Sequence, residues 1–170
     1  KAINKLKWII GSGKVGHAGT LDPIAEGLLI VMINNATKFS DNLMKRDKEY
    51  FVELELGYET TTYDTEGEIT EKYEGNLNIS DEKILEVINS FTGEIMQVPP
   101  MYSAIKINGE KLYELARKGI EVEREARKVK IYSIREIHVE NKGKCRISFY
   151  TEVSSGTYIR SLVRDIGRKL

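Results

Sequence analysis

Cysteine is almost missing from this chain: one residue in 170, Cys145, beside only two histidines. A single thiol excludes an internal disulfide, and one Cys with two His gives too few ligands for a Cys/His metal cluster. Such usage suits a reducing compartment. Long apolar runs are missing too. No stretch approaches the roughly eighteen residues that a membrane-spanning helix needs, and the opening "KAINKLKWIIG" is amphipathic rather than the apolar core of a signal peptide. A soluble, cytoplasmic protein with no membrane partner is expected. The chain has no internal repeat or low-complexity tract, and no net charge, since 26 Lys and Arg balance 26 Asp and Glu.

Zero net charge argues against a polyanionic partner, but the average conceals an asymmetry. Residues 1–50 carry 8 basic against 5 acidic side chains, residues 51–100 carry 2 against 12, and residues 101–170 carry 16 against 9. A nucleic-acid backbone would engage the two basic portions, whose cations could neutralise phosphates and release counterions. Solvated helix faces would produce the same tally. At 41% hydrophobic residues the chain suits one domain, large enough to bury about two thirds of its unfolded surface.

Along the chain, apolar Ile3, Leu6, Trp8, Ile9 and Ile10 fall at helical spacing and the glycines of "GSGKVG" end the run. That string imitates a phosphate loop only in part. The pattern needs glycine at position 8 and a hydroxyl at 15, and the residues there are Trp8 and Val15. "LLIVMI" reads as a buried strand and "ATKFSDNLM" as a short helix. "EYFVELELG" alternates, with Tyr50, Val52, Leu54 and Leu56 on one face and Phe51, Glu53 and Glu55 on the other, which predicts a half-buried strand. "YETTTYDTEGE" is a polar loop, and "ISDEKILEVINSF" is a helix capped by Ser80 with acids in its first turn. After two prolines, "MYSAIKINGEKLYELARKG" predicts a strand broken at Asn108-Gly109 and a helix stopped by Gly119. "RKVKIYSIREIHVE" and "CRISFYTEV" alternate and form a hairpin through "NKGK". The last segment, "GTYIRSLVRDIGRKL", presents Ile159, Leu162, Val163, Ile166 and Leu170 on one helical face. Antiparallel strands with helices between them give an α+β domain.

The stretch "GHAGTLDPIAEGLLIV" places Asp22 between a leucine and a proline. Asp before Pro suits a turn or a helix cap. Two features point elsewhere. Gly16, Gly19 and Gly27 surround the carboxylate, as close approach of backbone to a ligand requires, and Leu21 with "IAEGLLIV" makes its surroundings partly apolar. An ionised Asp in such a site needs a cation, because desolvation alone disfavours its charge.

These blocks together, "GHAGTLDPIAEGLL", "ATKF", "KEYFVELELG", "PPMYSAIKINGEKLYELARKG" and "SSGTYIRSLVRDIG", resemble in order and spacing the TruB family of bacterial tRNA pseudouridine synthases. The resemblance spans nearly the whole chain, and the aspartate block is its most specific part. It implies a pseudouridine synthase catalytic core over residues 1–170, a mixed, largely antiparallel central sheet flanked by helices. It also implies a basic, thumb-like RNA-binding insert over residues 99–127, mobile without ligand. The implied activity is isomerisation of uridine-55 in the T loop of tRNA to its C-glycoside, with neither cofactor nor metal, by a protein expected to be a monomer.

Carried over by motif, the resemblance makes Asp22 the catalytic carboxylate, attacking base or sugar or assisting departure of the uracil anion. It makes Tyr50 the residue that stacks on the base and a candidate for removing its C5 proton, and Arg160 of "GTYIR" the cation paired with Asp22. Without it, Tyr50 reads as a core aromatic and Arg160 as a solvent-facing helix residue bridging to Asp165. Tyr158 would wall the base pocket, although an aromatic near a helix start also suits a core. His17 would help hold the everted RNA loop, and Lys38, Lys106, Arg117 and Lys118 would contact phosphates, where surface solubility is the competing account.

The family normally has a short strand and a lysine-proline-glycine motif ahead of "KAINKL", and a small C-terminal RNA-binding domain after "GRKL"; neither is in these 170 residues. Two other readings stay open. A guide-RNA-dependent relative from archaea and eukaryotes shares "GTLDP" and "GTYIR" but not the block from Pro99 to Gly119 as it stands here. A non-catalytic tRNA-binding or tRNA-folding module would not need Asp22.

Overall fold

The structure is a computed structural model that describes residues 2–141 and 145–170. The chain divides into two compact units, residues 1–46 and 47–170.

The first unit opens with helix α1 (Ala2–Ile10), stopped where Gly11 turns to a φ of +76°. Strand β1 (Val15–His17) then pairs antiparallel with β2 (Val31–Ile33), in the register Val15 to Ile33, Gly16 to Met32 and His17 to Val31. Backbone bonds extend this ladder at both ends, Asn34 N–H to Lys14 O at 2.7 Å and Ala18 N–H to Ile30 O at 3.0 Å. The pair therefore cinches the loop that carries Asp22. "LLIVMI" does not form the long buried strand its composition suggests. Only its last three residues are strand, only Met32 among those is buried, and Leu28 is 90% exposed. The partner strand is three residues long, and beyond the Ala18–Ile30 bond the ladder stops, leaving Leu28 exposed and Leu29 only partly buried. A 3₁₀ turn (Asn34–Phe39) and the short helix α2 (Ser40–Met44) follow.

The second unit is built on a four-stranded antiparallel sheet of β3 (Lys48–Glu55), β6 (Gly93–Gln97), β9 (Arg127–Asn141) and β10 (Cys145–Val153), in the order β3-β10-β9-β6. Period-two alternation decides its two faces. On β10 the residues Cys145, Ile147, Phe149, Thr151 and Val153 are all buried while those between them face outward. Val52 and Leu54 of β3, and Leu56 just beyond it, join the same face. Helices α3 (Asp81–Asn89) and α5 (Ile159–Lys169) cover that face with Ile84, Ile88, Leu162 and Ile166, all fully buried. Ser80 caps α3 as its sequence implies, its hydroxyl accepting from Lys83 N–H at 3.3 Å. On the outer face, cross-strand ion pairs such as Arg146–Glu55 and Lys128–Glu94 alternate with the aromatic contact of Phe51 and Tyr150, 5.0 Å between centroids. Two irregularities interrupt β9: the register passes from His138 opposite Ser148 to Arg135 opposite Tyr150, where Glu136 takes a φ of +54°, and from Ser133 opposite Glu152 to Ile131 opposite Val153. The β9–β10 hairpin forms as expected, though the turn expected through "NKGK" lies outside the described residues at positions 142–144.

Two excursions leave this sheet. The "polar loop" after β3 is a two-stranded ribbon, β4 (Tyr58–Thr60) with β5 (Ile69–Lys72), around a tight turn centred on Asp64. The segment after β6 forms a small hairpin, β7 (Lys106–Ile107) with β8 (Glu110–Lys111), and helix α4 (Leu112–Arg117). Asn108 and Gly109 at its tip have φ of +51° and +88°, the paired left-handed corner that a two-residue hairpin requires. Met101, Leu112 and Leu115 give this excursion a small apolar cluster of its own. No helix among the described residues is long and apolar enough to cross a membrane.

Candidate functional site

In the first unit, Asp22 sits in the loop cinched by β1 and β2. Ala25 N–H donates to Asp22 O at 3.0 Å, closing a β-turn whose second residue is Pro23, where a fixed φ suits the corner. Asp22 therefore starts a turn and caps no helix. Its side chain is half-buried amid mostly exposed neighbours. Gly27 completes the loop with a φ of +144°, a conformation open to glycine and strained for other residues. Two residues after β1, Gly19 accepts a hydrogen bond through its carbonyl from Nδ1 of half-buried His17. That bond fixes the ring's orientation and selects the tautomer protonated at Nδ1. His17 also lines an open depression of about 660 Å³ together with Lys7, Lys14, Thr37 and Ser40. Lys38 is exposed on the adjoining 3₁₀ turn.

In the second unit, Tyr50 lies near the start of β3 opposite Thr151 of β10. It is half-buried and packs against the main core, so the core-aromatic reading describes its packing. Arg160 stands in the first turn of α5 but is not the solvent-facing residue that helix periodicity alone suggests. Its side chain is 11% exposed. Nη1 donates to Thr62 O at 2.9 Å and Nη2 to Tyr102 O at 2.9 Å, and Nε lies 3.8 Å from Oδ2 of Asp64, itself 7% exposed. The bridge to Asp165 belongs to Arg164, at 2.6 Å. Five N–H donors in a rigid fork let Arg160 join three chain segments at once.

Asp64 organises this arrangement. Its carboxylate accepts from Thr62 Oγ1 and from Glu66 N–H at 3.0 Å, while its carbonyl accepts from Thr60 Oγ1 at 2.6 Å. The turn holds Tyr63 at a φ of +59°, with the Arg164 guanidinium 4.6 Å from its ring centroid. Asp64 was not among the sequence candidates. Its signal was present in "TTYDTEG", where an Asp two residues after one threonine and directly before another predicts side-chain-to-backbone turn bonds.

Tyr158 is the N-cap residue of α5, half-buried, and its own backbone is gripped by Gln97. Lys106, Arg117 and Lys118 share the excursion after β6, all exposed. Arg117 lies 5.4 Å from the Tyr113 ring centroid, and Lys118 pairs with Glu110 at 3.0 Å. The basic character expected of residues 99–127 is weak: six Lys and Arg stand against five Glu. Among the described residues, no three His, Cys, Asp or Glu side chains converge where a metal ion could sit.

A family model described as "TruB family pseudouridylate synthase (N terminal domain)" matches residues 7–159. The chain belongs to the TruB family. Over its full length it is 51% identical to the tRNA pseudouridine synthase B of Clostridium tetani, covering 55% of that protein. It is 46% identical to the Aquifex aeolicus protein of the same name, again over the whole chain and 58% of the relative. This TruB-family chain thus spans somewhat over half the length of these curated relatives. Among solved structures it is similar to a chain of a Cbf5-Nop10-Gar1 complex, at 30% identity and a TM-score of 0.68, over 99% of this chain and 40% of that one. A second likeness is to a chain of an H/ACA RNP bound to a substrate RNA containing 2'-deoxyuridine, at 27% identity and a TM-score of 0.63, over 99% and 38%. The α+β architecture expected of a TruB-family chain is the one found.

Proposed function

We propose that this TruB-family protein isomerises uridine to pseudouridine in the T loop of tRNA, at the position numbered 55, acting as a cytoplasmic monomer on a nucleotide turned out of the loop. In this reaction the N1–C1′ bond breaks, the uracil turns, and C5 bonds to C1′; the proton lost from C5 and the one gained at N1 balance. No electron is transferred, so the reaction requires no redox cofactor.

In this reading Asp22 supplies an ionised carboxylate against the glycosidic bond, where positioning alone contributes much of the rate. Arg160 supplies the cation that stabilises that charge. Tyr50 stacks on the base and is the candidate for taking the C5 proton. Turning the uridine out costs a few kcal/mol, of which stacking on Tyr50 recovers about 1–3 kcal/mol. His17 helps hold the everted loop, Tyr158 walls the base pocket, and Lys38, Lys106, Arg117 and Lys118 contact phosphates. The depression lined by Lys7, Lys14 and His17 suits a phosphate as well.

The observation that carries this reading is Asp22 on a proline turn in a glycine-rich loop, within a chain 46–51% identical to proteins named tRNA pseudouridine synthase B. The guide-RNA-dependent alternative has support in the likeness to a chain of an H/ACA RNP, but at 27% identity.

The test uses a T-arm stem-loop tritiated at C5 of uridine. The protein in its natural length releases tritium to water, and Asp22→Asn releases none while its RNA affinity stays within about threefold of wild type, well under 1 kcal/mol. Equal release by Asp22→Asn would remove the catalytic carboxylate from the reading. No release by well-folded wild type, with RNA binding intact, would leave a binding module.

A further inference from the structure

Gln97 ends β6 and is 2% exposed, a fully buried amide with no place in the chemistry described above. A buried amide left unbonded is costly, so the partners it takes show what it is for. Both lie on one residue, far away in sequence: Nε2 donates to Tyr158 O at 3.1 Å, and Oε1 accepts from Tyr158 N–H at 2.8 Å. The amide thus fixes both faces of a single backbone position, as a neighbouring strand would. It does so immediately before α5, at the residue where the helix begins. One residue further along, Val98 O accepts from the fully buried Ser161 hydroxyl at 2.8 Å. Arg160 lies between these two clamped positions, and its Nη2 donates to Tyr102 O on the same segment. Residues 97–102 therefore hold the first turn of α5 by its backbone on one side and the Arg160 guanidinium on the other.

We propose that Gln97 is a positioning residue for the isomerisation, setting the direction of Tyr158 and Arg160 through its paired hydrogen bonds to the Tyr158 backbone. This rests on the function proposed above. Packing alone does not need an amide there, since an apolar side chain of similar volume fills the same space. What the amide adds is direction: without it the first turn of α5 can rotate or fray, and the fork of Arg160 moves with it. A displacement of about 1 Å at a reacting group can cost on the order of 100-fold in rate.

Two substitutions test this on the protein in its natural length, with single-turnover tritium release and RNA affinity as readouts. Gln97→Met keeps the volume and removes both hydrogen bonds; the rate constant at saturating RNA falls about 10–100-fold while RNA affinity stays within about threefold, since the phosphate contacts assigned to Lys38, Lys106, Arg117 and Lys118 are untouched. Gln97→Glu separates orientation from folding. A protonated carboxyl reproduces the amide, accepting from Tyr158 N–H and donating to Tyr158 O, whereas a carboxylate opposes that carbonyl. Burial raises a carboxyl's pKa by up to several units, so Gln97→Glu is slow near pH 8 and recovers about tenfold or more toward pH 6. Wild type shows no such rise. Charged groups close to Gln97 include Arg127, opposite it in the β6–β9 ladder, and Arg160, two residues past Tyr158.

A wild-type rate constant in Gln97→Met, or a Gln97→Glu profile parallel to wild type, overturns the proposal and leaves the proposed function standing. If Gln97→Met does not fold, the Gln97→Glu profile, read where circular dichroism is native at both ends, decides alone. Wild type that folds and binds RNA but releases no tritium overturns both.

Discussion

Nη2 of Arg160 donates to the carbonyl of Tyr102 at 2.9 Å, so the first turn of α5 is tied to the root of the excursion that runs from Pro99 to Arg127. That excursion has few means of holding itself. Its apolar cluster has three buried members, Met101, Leu112 and Leu115, and its lattice of backbone bonds is sparse, with Leu112 N–H on Ile105 O at 2.8 Å and Tyr113 N–H on Ser103 O at 3.1 Å. The main core has twelve buried members drawn from three strands, two helices and the residue just past β3. Segments with few buried apolar contacts open at lower free energy than the core around them.

Native-state hydrogen exchange without RNA should therefore show the amides of Leu112, Tyr113 and Ile120 exchanging well before those of β10. Leu112→Ala removes a fully buried side chain, a change that costs about 2–5 kcal/mol where the site is held rigid. Here the loss should fall on the excursion alone, speeding those amides while β9 and β10 keep their protection. Uniform slowing or uniform loss across both regions would show that the excursion is part of the core's cooperative unit.

Asp64 should matter to stability more than its place in a surface ribbon suggests. Its carboxylate faces the Arg160 guanidinium with both side chains nearly buried, and removing one partner of such a pair costs about 3–5 kcal/mol because the other charge is left without compensation. Two carbonyls still hold Arg160, which places Asp64→Ala at the lower end, about 3 kcal/mol. Urea denaturation should give a lower midpoint with an unchanged slope. Asp64→Asn retains an acceptor for Thr62 and Glu66 and should lose less. A midpoint for Asp64→Ala equal to wild type would show the pair to be incidental.

What was legible in the sequence follows period and local chemistry. The strict alternation of β10, the Ser80 cap of α3 and the Asn108-Gly109 corner each depend on residues within a few positions of one another, and each forms where expected. Arg160, Asp64 and Gln97 depend on partners 58 to 98 positions away, and no local rule reaches that far. The resemblance to a family named Arg160; only the fold shows that Thr62, Tyr102 and Asp64 hold it. "LLIVMI" misled for the opposite reason. Its apolar run satisfied a strand's composition, but β1 offers three residues to pair with, and past the Ala18–Ile30 bond Leu28 and Leu29 have no ladder to join.

The start of α3 predicts a response to acid. Glu82 is held below the usual carboxylate range by its own backbone N–H and by the Ser80 hydroxyl. A carboxyl whose folded pKa is depressed stabilises the fold above its unfolded pKa, and that contribution is lost as pH falls through the folded value. Ser80→Ala removes the cap, at about 1 kcal/mol near neutral pH, and one cause of the Glu82 shift. Thermal melts should therefore show a Tm gap between wild type and Ser80→Ala that narrows below about pH 4, the unperturbed range of a glutamate. A gap of constant size down to acid pH would separate the cap from Glu82.

Cys145 should be inert in the native protein and informative outside it. It is 4% exposed at the start of β10, and its carbonyl accepts from Leu56 N–H at 2.9 Å. Burial, with a smaller push from Asp81, lifts its thiol above the usual range, and only the thiolate attacks an alkylating agent. Iodoacetamide should thus reach it only through opening of the sheet, on the order of 100-fold more slowly than in guanidinium if that opening costs about 3 kcal/mol. The same shift has a consequence for stability: a thiol whose folded pKa is raised favours the fold below its unfolded pKa, and the advantage disappears as pH rises through the folded value. Stability should decline on the alkaline side, and Cys145→Ala, whatever its cavity costs at neutral pH, should flatten that decline. Rapid native labelling near neutral pH would mean that β10 opens at this end far more readily than its buried neighbours Ile147 and Phe149 allow.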